Sequence, residues 1–421
     1  MAEAGSRRSA FAWNFAGTTL YNFSQWLVLA ILGRLFSQAT VGEYSLLLAL
    51  TAPVFLLTGL NLRVIQATDA RRRWSVSQFE RMRHLLNAVA MGISFLIGVF
   101  TFTDMGLLAA LVAVCGAKAV EARGQLNYGY FQVHDRLDYV AQSLLSRALL
   151  GPMMVALAAF LTDSLAWSAV GLMVGWVIPQ LLLDKPRVQR LIRNDPQATR
   201  PEEPRTVPAL RAMLTKGFPL GVDAGVSSLS INAPRYLLQA TAGSAALGGF
   251  VPLAYLAQLI SSITSAMATT LISPMSRAYH EGRRKYFVRS LVRLVAFGAG
   301  VSAAAMVAAW AIGDWVIARA LGPEYVNRPL LMALLLSSTV ITLQRMLSKA
   351  LEASTAFTRY MLVDSVTLAT VALASVVLIP KFGALGAAHS LTMGFLLGTA
   401  VVLAMVVKLV NTMPDSPASR D

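Results

Sequence analysis

LLLALTAPVFLLTGL, residues 46–60, contains no charged side chain. VAFGAGVSAAAMVAAWA, residues 295–311, contains none either. With their apolar flanks, both runs approach the roughly 20 residues a helix needs to cross the hydrocarbon core of a bilayer. Similar stretches recur along all 421 residues, and the charged residues cluster between them. The composition agrees: 56% hydrophobic and 14% charged, where soluble domains carry about 25% charged residues. Twelve such helices use about 240 residues and leave the remainder for short connections.

A net charge of +15 raises the prospect of nucleic-acid binding. The placement of the basic residues argues against it, because they sit in the gaps between apolar segments, as membrane topology requires. One cysteine, Cys115, excludes an intrachain disulfide and reads as a small packed side chain. His84, His134, His280 and His389 are scattered without metal-site spacing, so no metal is expected. Arg7 and Arg8 precede an apolar stretch that holds Asn14, Asn22 and Gln25 and lacks a small-residue cleavage site. It reads as a retained first helix.

The expected helices of the first half are 11–33, 41–62, 83–103, 106–126, 138–160 and 164–184. Those of the second half are 216–239, 247–272, 290–312, 328–350, 358–379 and 384–409. The fold class is thus an all-α polytopic membrane protein of about twelve spans in two six-helix bundles, 1–184 and 216–421, the latter with a short cytoplasmic tail. Between them, 185–215 is rich in charge and proline (Asp195, Pro196, Pro201, Glu202, Glu203, Pro204) and reads as a solvated cytoplasmic linker.

Placing the N-terminus inside puts 31 of the 36 Lys and Arg residues on the inner side. The outer side keeps Arg34, Arg235, Arg319, Arg328 and Lys381. That asymmetry sets both termini in the cytoplasm and supports an even number of spans. Gly42-Glu43-Tyr44 opens the second helix as Gly248-Gly249-Phe250 opens the eighth. With six helices per half, this favours parallel repeats related by an axis along the membrane normal, an architecture that places a substrate site between the halves.

Polar residues within the spans are the candidate functional residues, because an Arg or Asp at a helix centre costs about 2.5–3.5 kcal/mol. Asn14, Thr18, Tyr21, Asn22 and Gln25 fall within about a 100° arc of the first helix. Tyr255, Gln258, Ser262, Ser265 and Thr269 share a face of the eighth. The seventh is polar around much of its girth, through Asp223, Ser227, Ser230, Ser228, Asn232, Arg235 and Gln239, with Pro234 placed to bend it. These residues line a hydrated cavity or serve as interhelical glue at about 0.6 kcal/mol each. Arg235 is the anion contact of the cavity reading. It lies about 8 Å below the outer helix end, within snorkelling distance of the headgroups. Asp223 is a protonatable coupling site or the partner of a basic residue. Lys118 and Glu121 have the spacing of a local ion pair. Arg345 and Lys349, near Asp364, form an inner gate or ordinary positive-inside anchors.

Aqueous catalytic signatures are missing. The chain has no G-x-x-x-x-G-K-[ST] phosphate loop and no G-x-S-x-G elbow, and no exterior loop is long enough for a catalytic domain. No catalytic residues and no organic cofactor are expected.

Several stretches resemble the multidrug/oligosaccharidyl-lipid/polysaccharide (MOP) exporter superfamily, and within it the polysaccharide flippases of the O-antigen type. They are LFSQATVGEYSLLLALTAPVFLLTGL (35–60) with Asn61-Leu62-Arg63, and Lys118-x-x-Glu121 followed by GYFQVHDRLDYVAQSLLSR. Further along come Ala233-Pro234-Arg235-Tyr236 followed by GSAALGGFVPLAYL, and FGALGAAHS near the last helix. The resemblance covers nearly the whole chain. It implies a MATE-like pair of six-helix bundles working by alternating access. It implies passage of an undecaprenyl-diphosphate-linked oligosaccharide from the cytoplasmic to the outer leaflet of a bacterial inner membrane. It also implies partnership with membrane lipids and polysaccharide-assembly proteins. The prenyl tail can stay in lipid, so a polar cavity need only serve the head, and basic groups attract its diphosphate or an acidic glycan. Arg235 and the first-helix stripe are the lining residues the resemblance favours.

Two alternatives stand beside this reading. A drug or metabolite antiporter of the same superfamily would cluster carboxylates in one bundle to bind H⁺ or Na⁺. Here Glu121, Asp223 and Asp364 are dispersed. A non-transporting scaffold for glycan-synthesis enzymes would tolerate loss of every cavity residue.

Overall fold

The computed structural model describes residues 2–69, 73–195, 206–354 and 357–413. Side chains are described from residue 13 onward, except Thr206, Val207, Ala266, Thr269, Thr270, Ser273 and 357–360. Arg71, Arg72, Arg200, Arg205 and Arg420 of the inner-side basic residues, and Pro196, Pro201, Glu202, Glu203 and Pro204 of the expected linker, lie outside the described residues. So do the side chains of Arg7, Arg8, Thr269 and Arg359.

Among the described residues the chain is helical throughout and has no strand. The helices are α1 (Ala2–Leu35), α2 (Gln38–Gly59), α3 (Leu62–Thr68), α4 (Val76–Thr101), α5 (Met105–Val133), α6 (Leu137–Thr162), α7 (Leu165–Pro179), α8 (Lys185–Arg193), α9 (Thr206–His280), α10 (Arg284–Ala320), α11 (Arg328–Ala353) and α12 (Phe357–Asn411). A π-helical turn, Gln180–Asp184, joins α7 to α8.

Several starts are capped as their sequences direct. Ser37 accepts from Thr40 N–H, Asp104 from Gly106 N–H and Asn327 from Leu330 N–H. Ser75 and Gln78 form a reciprocal capping box ahead of α4.

Helix α4 shows what surrounds the protein. Met82, Leu86, Ala90, Ser94 and Gly98 recur every four residues and are buried. Leu85, Val89, Ile93, Leu96 and Phe100 are exposed on the opposite side. A helix apolar on its exposed face has hydrocarbon for a solvent. Exposed aromatics stand near connections: Phe160 and Trp167 flank the α6–α7 loop, and Trp310 and Trp315 sit toward the end of α10. That is the position of an interfacial belt.

Nine helical segments among the described residues are long and apolar enough to span. Two of them, Pro208–Ser265 and Met361–Asn411, hold 58 and 51 residues, more than twice one crossing. Each is broken by a glycine in a conformation closed to other residues: Gly243 with φ 79°, ψ 179°, and Gly383 with φ 55°, ψ −129°. Past Gly383 the chain folds back on itself, since Gly386 abuts Leu378 and Ile379, Gly394 abuts Val371, and Gly398 abuts Thr367. Counting each broken segment twice and adding α1 brings the passes to twelve.

The chain forms two compact units, Met1–Ser228 and Leu229–Asp421. In the first, α1 packs on α6, with Gly17 close against Ala141 backbone. Helices α6 and α7 approach at Gly171 and Gly175, where a Cβ would lie 2.5 Å from Met154 O and 2.6 Å from Leu150 O. Small residues four apart allow such contact between membrane helices, where dispersion replaces the hydrophobic drive. Cys115 is packed in this unit.

In the second unit, hydroxyls link the helices. Ser337 bonds Ala388 O and Thr392, Ser338 donates to Ala257 O, and Ser261 bonds Thr342. Each bond of this kind contributes about 0.6 kcal/mol. Below them Met275, Phe287, Leu351, Val363 and Val402 form an apolar cluster.

The segment 185–215 differs from a plain linker at both ends. Residues 185–193 form α8, because Val188, Leu191 and Ile192 fall on one side and give it a face to bury. Residues 206–215 already belong to α9, whose Met213 is fully buried with Leu60, Leu62 and Phe79.

Candidate functional site

The first unit holds an open-sided cavity of about 440 Å³. Its wall takes Phe55 and Gly59 from α2, Arg63 from α3, Arg83 from α4, Lys118, Glu121 and Gln125 from α5, and Ala224 from α9. The floor is a break in the chain: Leu60 (φ 50°) and Asn61 (φ 49°) separate α2 from α3. Two consecutive non-glycine residues in the left-handed region cost about 1–3 kcal/mol each, a strain that collects at functional sites. The break turns Arg63 into the cavity.

Three cations therefore face one carboxylate. Helix α5 presents Lys118 as a donor and Glu121, Gln125 and Tyr128 beside it, three or four residues apart, on one face that its pitch aligns. Glu121 accepts from Lys118 Nζ at 2.9 Å and from the Tyr21 hydroxyl at 2.8 Å. Gln125 Oε1 accepts from Arg63 Nη1 at 2.8 Å, and the Arg63 guanidinium lies 5.7 Å from the Tyr128 ring centre. Arg83 is 5% exposed and, among the described residues, reaches Gly59 O at 3.4 Å and leaves its Nε without an acceptor. Lys118 and Glu121 satisfy each other; Arg63 and Arg83 have no carboxylate among the described residues.

Behind the cavity stands a buried polar network. Arg147 and Asp184 are 1% and 0% exposed and pair at 3.0 Å. Arg147 also donates to Gln180 Oε1 at 2.8 Å, and Ser143 donates to Asp184 at 2.9 Å. Tyr128 bonds Ser143 and lies between two guanidiniums, since Arg147 is also 5.7 Å from its ring centre. The π-turn makes this possible: it presents Gln180 and Asp184, four apart, to the same arginine. Gly124 completes the fit, because a Cβ there would lie 2.5 Å from both terminal nitrogens of Arg147.

The second unit holds a smaller cavity of about 40 Å³, lined by Arg235 and Ile231 from the start of the unit, Phe250, Gln258 and Ser261 beyond Gly243, and Arg345 from α11. Arg235 is 5% exposed; its Nη1 donates to Asn232 Oδ1 at 3.0 Å, and its guanidinium lies 5.4 Å from the Tyr255 ring centre.

Of the residues singled out from sequence, Asn232, Arg235, Tyr255, Gln258 and Arg345 come together here. Asp364 is buried in the same unit and makes no ion pair with Arg345 among the described residues; Lys349 bonds Glu352 at 2.5 Å. In the first unit Asn14, Thr18, Asn22 and Gln25 are half-buried on α1 and line neither cavity, while Tyr21 between them bonds Glu121. Asp223 is half-buried on α9, one residue before the cavity-lining Ala224. Sequence reasoning missed Arg63 and Arg83, which count among many inner-side basic residues. The available signal was on α5, where Lys118, Glu121, Gln125 and Tyr128 lie three or four apart and share one face.

Comparison with known proteins agrees with this architecture. Residues 9–280 match the family described as "Polysaccharide biosynthesis protein". The chain is 19% identical to the capsular polysaccharide biosynthesis protein CapF of Staphylococcus aureus over 384 residues, 91% of this chain and 94% of that protein. Among solved structures it is similar to a MOP superfamily transporter from Pyrococcus furiosus, with TM-score 0.69, 12% identity, and coverage of 97% and 96% of the two chains. It is also similar to the MATE transporter VcmN of Vibrio cholerae, with TM-score 0.68, 12% identity, and coverage of 98% and 99%. A multi-pass helical fold shared along nearly its whole length with MOP transporters, and a family match over well more than half of it, lead to one conclusion: the chain belongs to the polysaccharide biosynthesis protein family and has the MOP superfamily fold.

Proposed function

We propose that this protein is a flippase that carries a polyprenyl-diphosphate-linked oligosaccharide across a bacterial inner membrane by alternating access. Its two six-helix bundles are 1–184 and 216–421, joined through 185–215, with both termini in the cytoplasm. One observation carries the proposal. A 440 Å³ cavity of the first unit holds Arg63 and Arg83 without a carboxylate for either among the described residues. Uncompensated guanidiniums are costly at membrane depth, and a diphosphate offers what they lack, several anionic oxygens in a geometry that matches the planar fork. Arg63, Arg83 and Lys118 all sit on the inner side in the topology read from the charge distribution, where a diphosphate-linked glycan made in the cytoplasm would be received.

The test is the fate of the lipid-linked glycan in cells lacking the protein. It is expected to accumulate on the cytoplasmic leaflet and to be exported again when the wild-type gene is restored. Export that continues undiminished in the deletion strain would sink the proposal.

The energy source is assigned to an H⁺ or Na⁺ gradient acting at Asp223, which adjoins the cavity wall on α9. Asp223→Asn is then expected to uncouple transport in proteoliposomes from an imposed ion gradient while leaving binding intact. Unchanged gradient dependence would place coupling elsewhere.

A further inference from the structure

The small cavity of the second unit has a different chemistry from the large one. Two arginines line it, and among the described residues no carboxylate does. Arg235 is buried, held among the described residues by Asn232 and the Tyr255 ring, and its Nε has no acceptor there. Arg345 reaches the same space from α11 and has no hydrogen-bond or ion-pair partner among the described residues. The neighbouring acids do not serve: Glu352 bonds Lys349, and Asp364 makes no ion pair with Arg345. Gln258 adds an amide to the lining, and Ser261, Ser337 and Ser338 spend their hydroxyls on Thr342, on Ala388 O and on Ala257 O. The remaining wall, including Ile231, Phe250 and Leu334, is apolar and keeps the local dielectric low.

Size narrows the ligand. The cavity offers about 40 Å³, about a tenth of the first-unit cavity. It has room for a planar charged group of three heavy atoms. The 440 Å³ cavity has room for the larger diphosphate.

We propose that the second-unit cavity receives the carboxylate of an acidic sugar, so that the carried glycan contains a uronic-acid-type residue. This rests on the reading of the protein as a carrier of lipid-linked glycan. The carboxylate accepts from the guanidiniums of Arg235 and Arg345, with the Gln258 amide as a third donor. A neutral sugar leaves both guanidiniums unpaired, and unpaired buried charge is the strongest form of discrimination a site of this kind has. The diphosphate and the sugar acid are thereby read by separate units of the chain.

The experiment uses the full-length protein in nanodiscs and three probes followed by tryptophan fluorescence. They are digalacturonate, the same disaccharide after carboxyl reduction, and farnesyl diphosphate. Digalacturonate is expected to bind at least about tenfold tighter than the reduced form, about one charge-assisted hydrogen bond. Arg235→Gln and Arg345→Gln are expected to abolish that preference and leave farnesyl diphosphate binding unchanged. Arg345→Lys, which keeps the charge, retains part of the preference and covers the case in which the glutamine variant fails to fold. Equal binding of the acidic and reduced disaccharides by the wild type overturns the inference. So does a preference that survives in a folded Arg345→Gln protein. Loss of farnesyl diphosphate binding with the acid preference intact overturns the carrier reading and leaves the acid site standing.

Discussion

Arg83→Gln is expected to weaken binding of a prenyl diphosphate about 10- to 100-fold, with the protein still present in the membrane at its usual level. The magnitude follows from one hydrogen bond to a charged group, about 1.5–3 kcal/mol, at about 1.4 kcal/mol per tenfold. Arg83 is the sharpest choice because its guanidinium is the least satisfied of the three cations in the large cavity. Lys118 is committed to Glu121, and one arm of Arg63 to Gln125. The same substitution also removes a buried charge that nothing in the described structure neutralises, so the empty protein should melt at the same or a higher temperature. Activity falls and stability does not, the pattern expected when a site is held in a strained or under-satisfied state for its ligand. Titration with farnesyl diphosphate and a thermal melt of the same preparation check both halves. Wild-type affinity in the variant would exclude Arg83 from the site.

Asp184→Ala is expected to destabilise the first unit by about 3–5 kcal/mol, because it strands a fully buried Arg147 without its counter-charge. The double substitution Arg147→Leu with Asp184→Leu should recover most of that loss, since a well-packed apolar pair often matches a buried ion pair in stability. Denaturation of the single and double variants in detergent, followed by tryptophan fluorescence, reads the difference; Trp176 lies beside this network, against Gly151 and Tyr21. Losses that simply add in the double variant would show that the two side chains act independently. Transport by a stable double variant would further show whether the network merely supports Tyr128 and Arg63 or is needed as a charge.

Much of the architecture was legible because the bilayer imposes it residue by residue. Leu46–Leu60 and 295–311 need no partner to declare themselves as spans. The turns at Gly243 and Gly383 fall between stretches that the hydropathy pattern already separates. The grouping in the second unit was also within reach: Asn232, Arg235, Tyr255 and Gln258 lie on two consecutive helices joined by a short turn, so helical periodicity aligns them. The first-unit cavity was not within reach. Arg63, Arg83, Lys118, Gln125 and Ala224 come from four helices, and each arginine looks like one more inner-side anchor until the helices are packed.

The amino-acid order by itself determined the solvent, the number of passes and the polar faces, because each depends on transfer of local segments into hydrocarbon. Tertiary structure alone decided which cations lost their counter-ions. Positive-inside topology supplies basic residues in excess; Glu121 meets Lys118 from one turn along the same helix, but only the packing of distant helices assigns a carboxylate to Arg147 and leaves none, among the described residues, for Arg63, Arg83, Arg235 and Arg345.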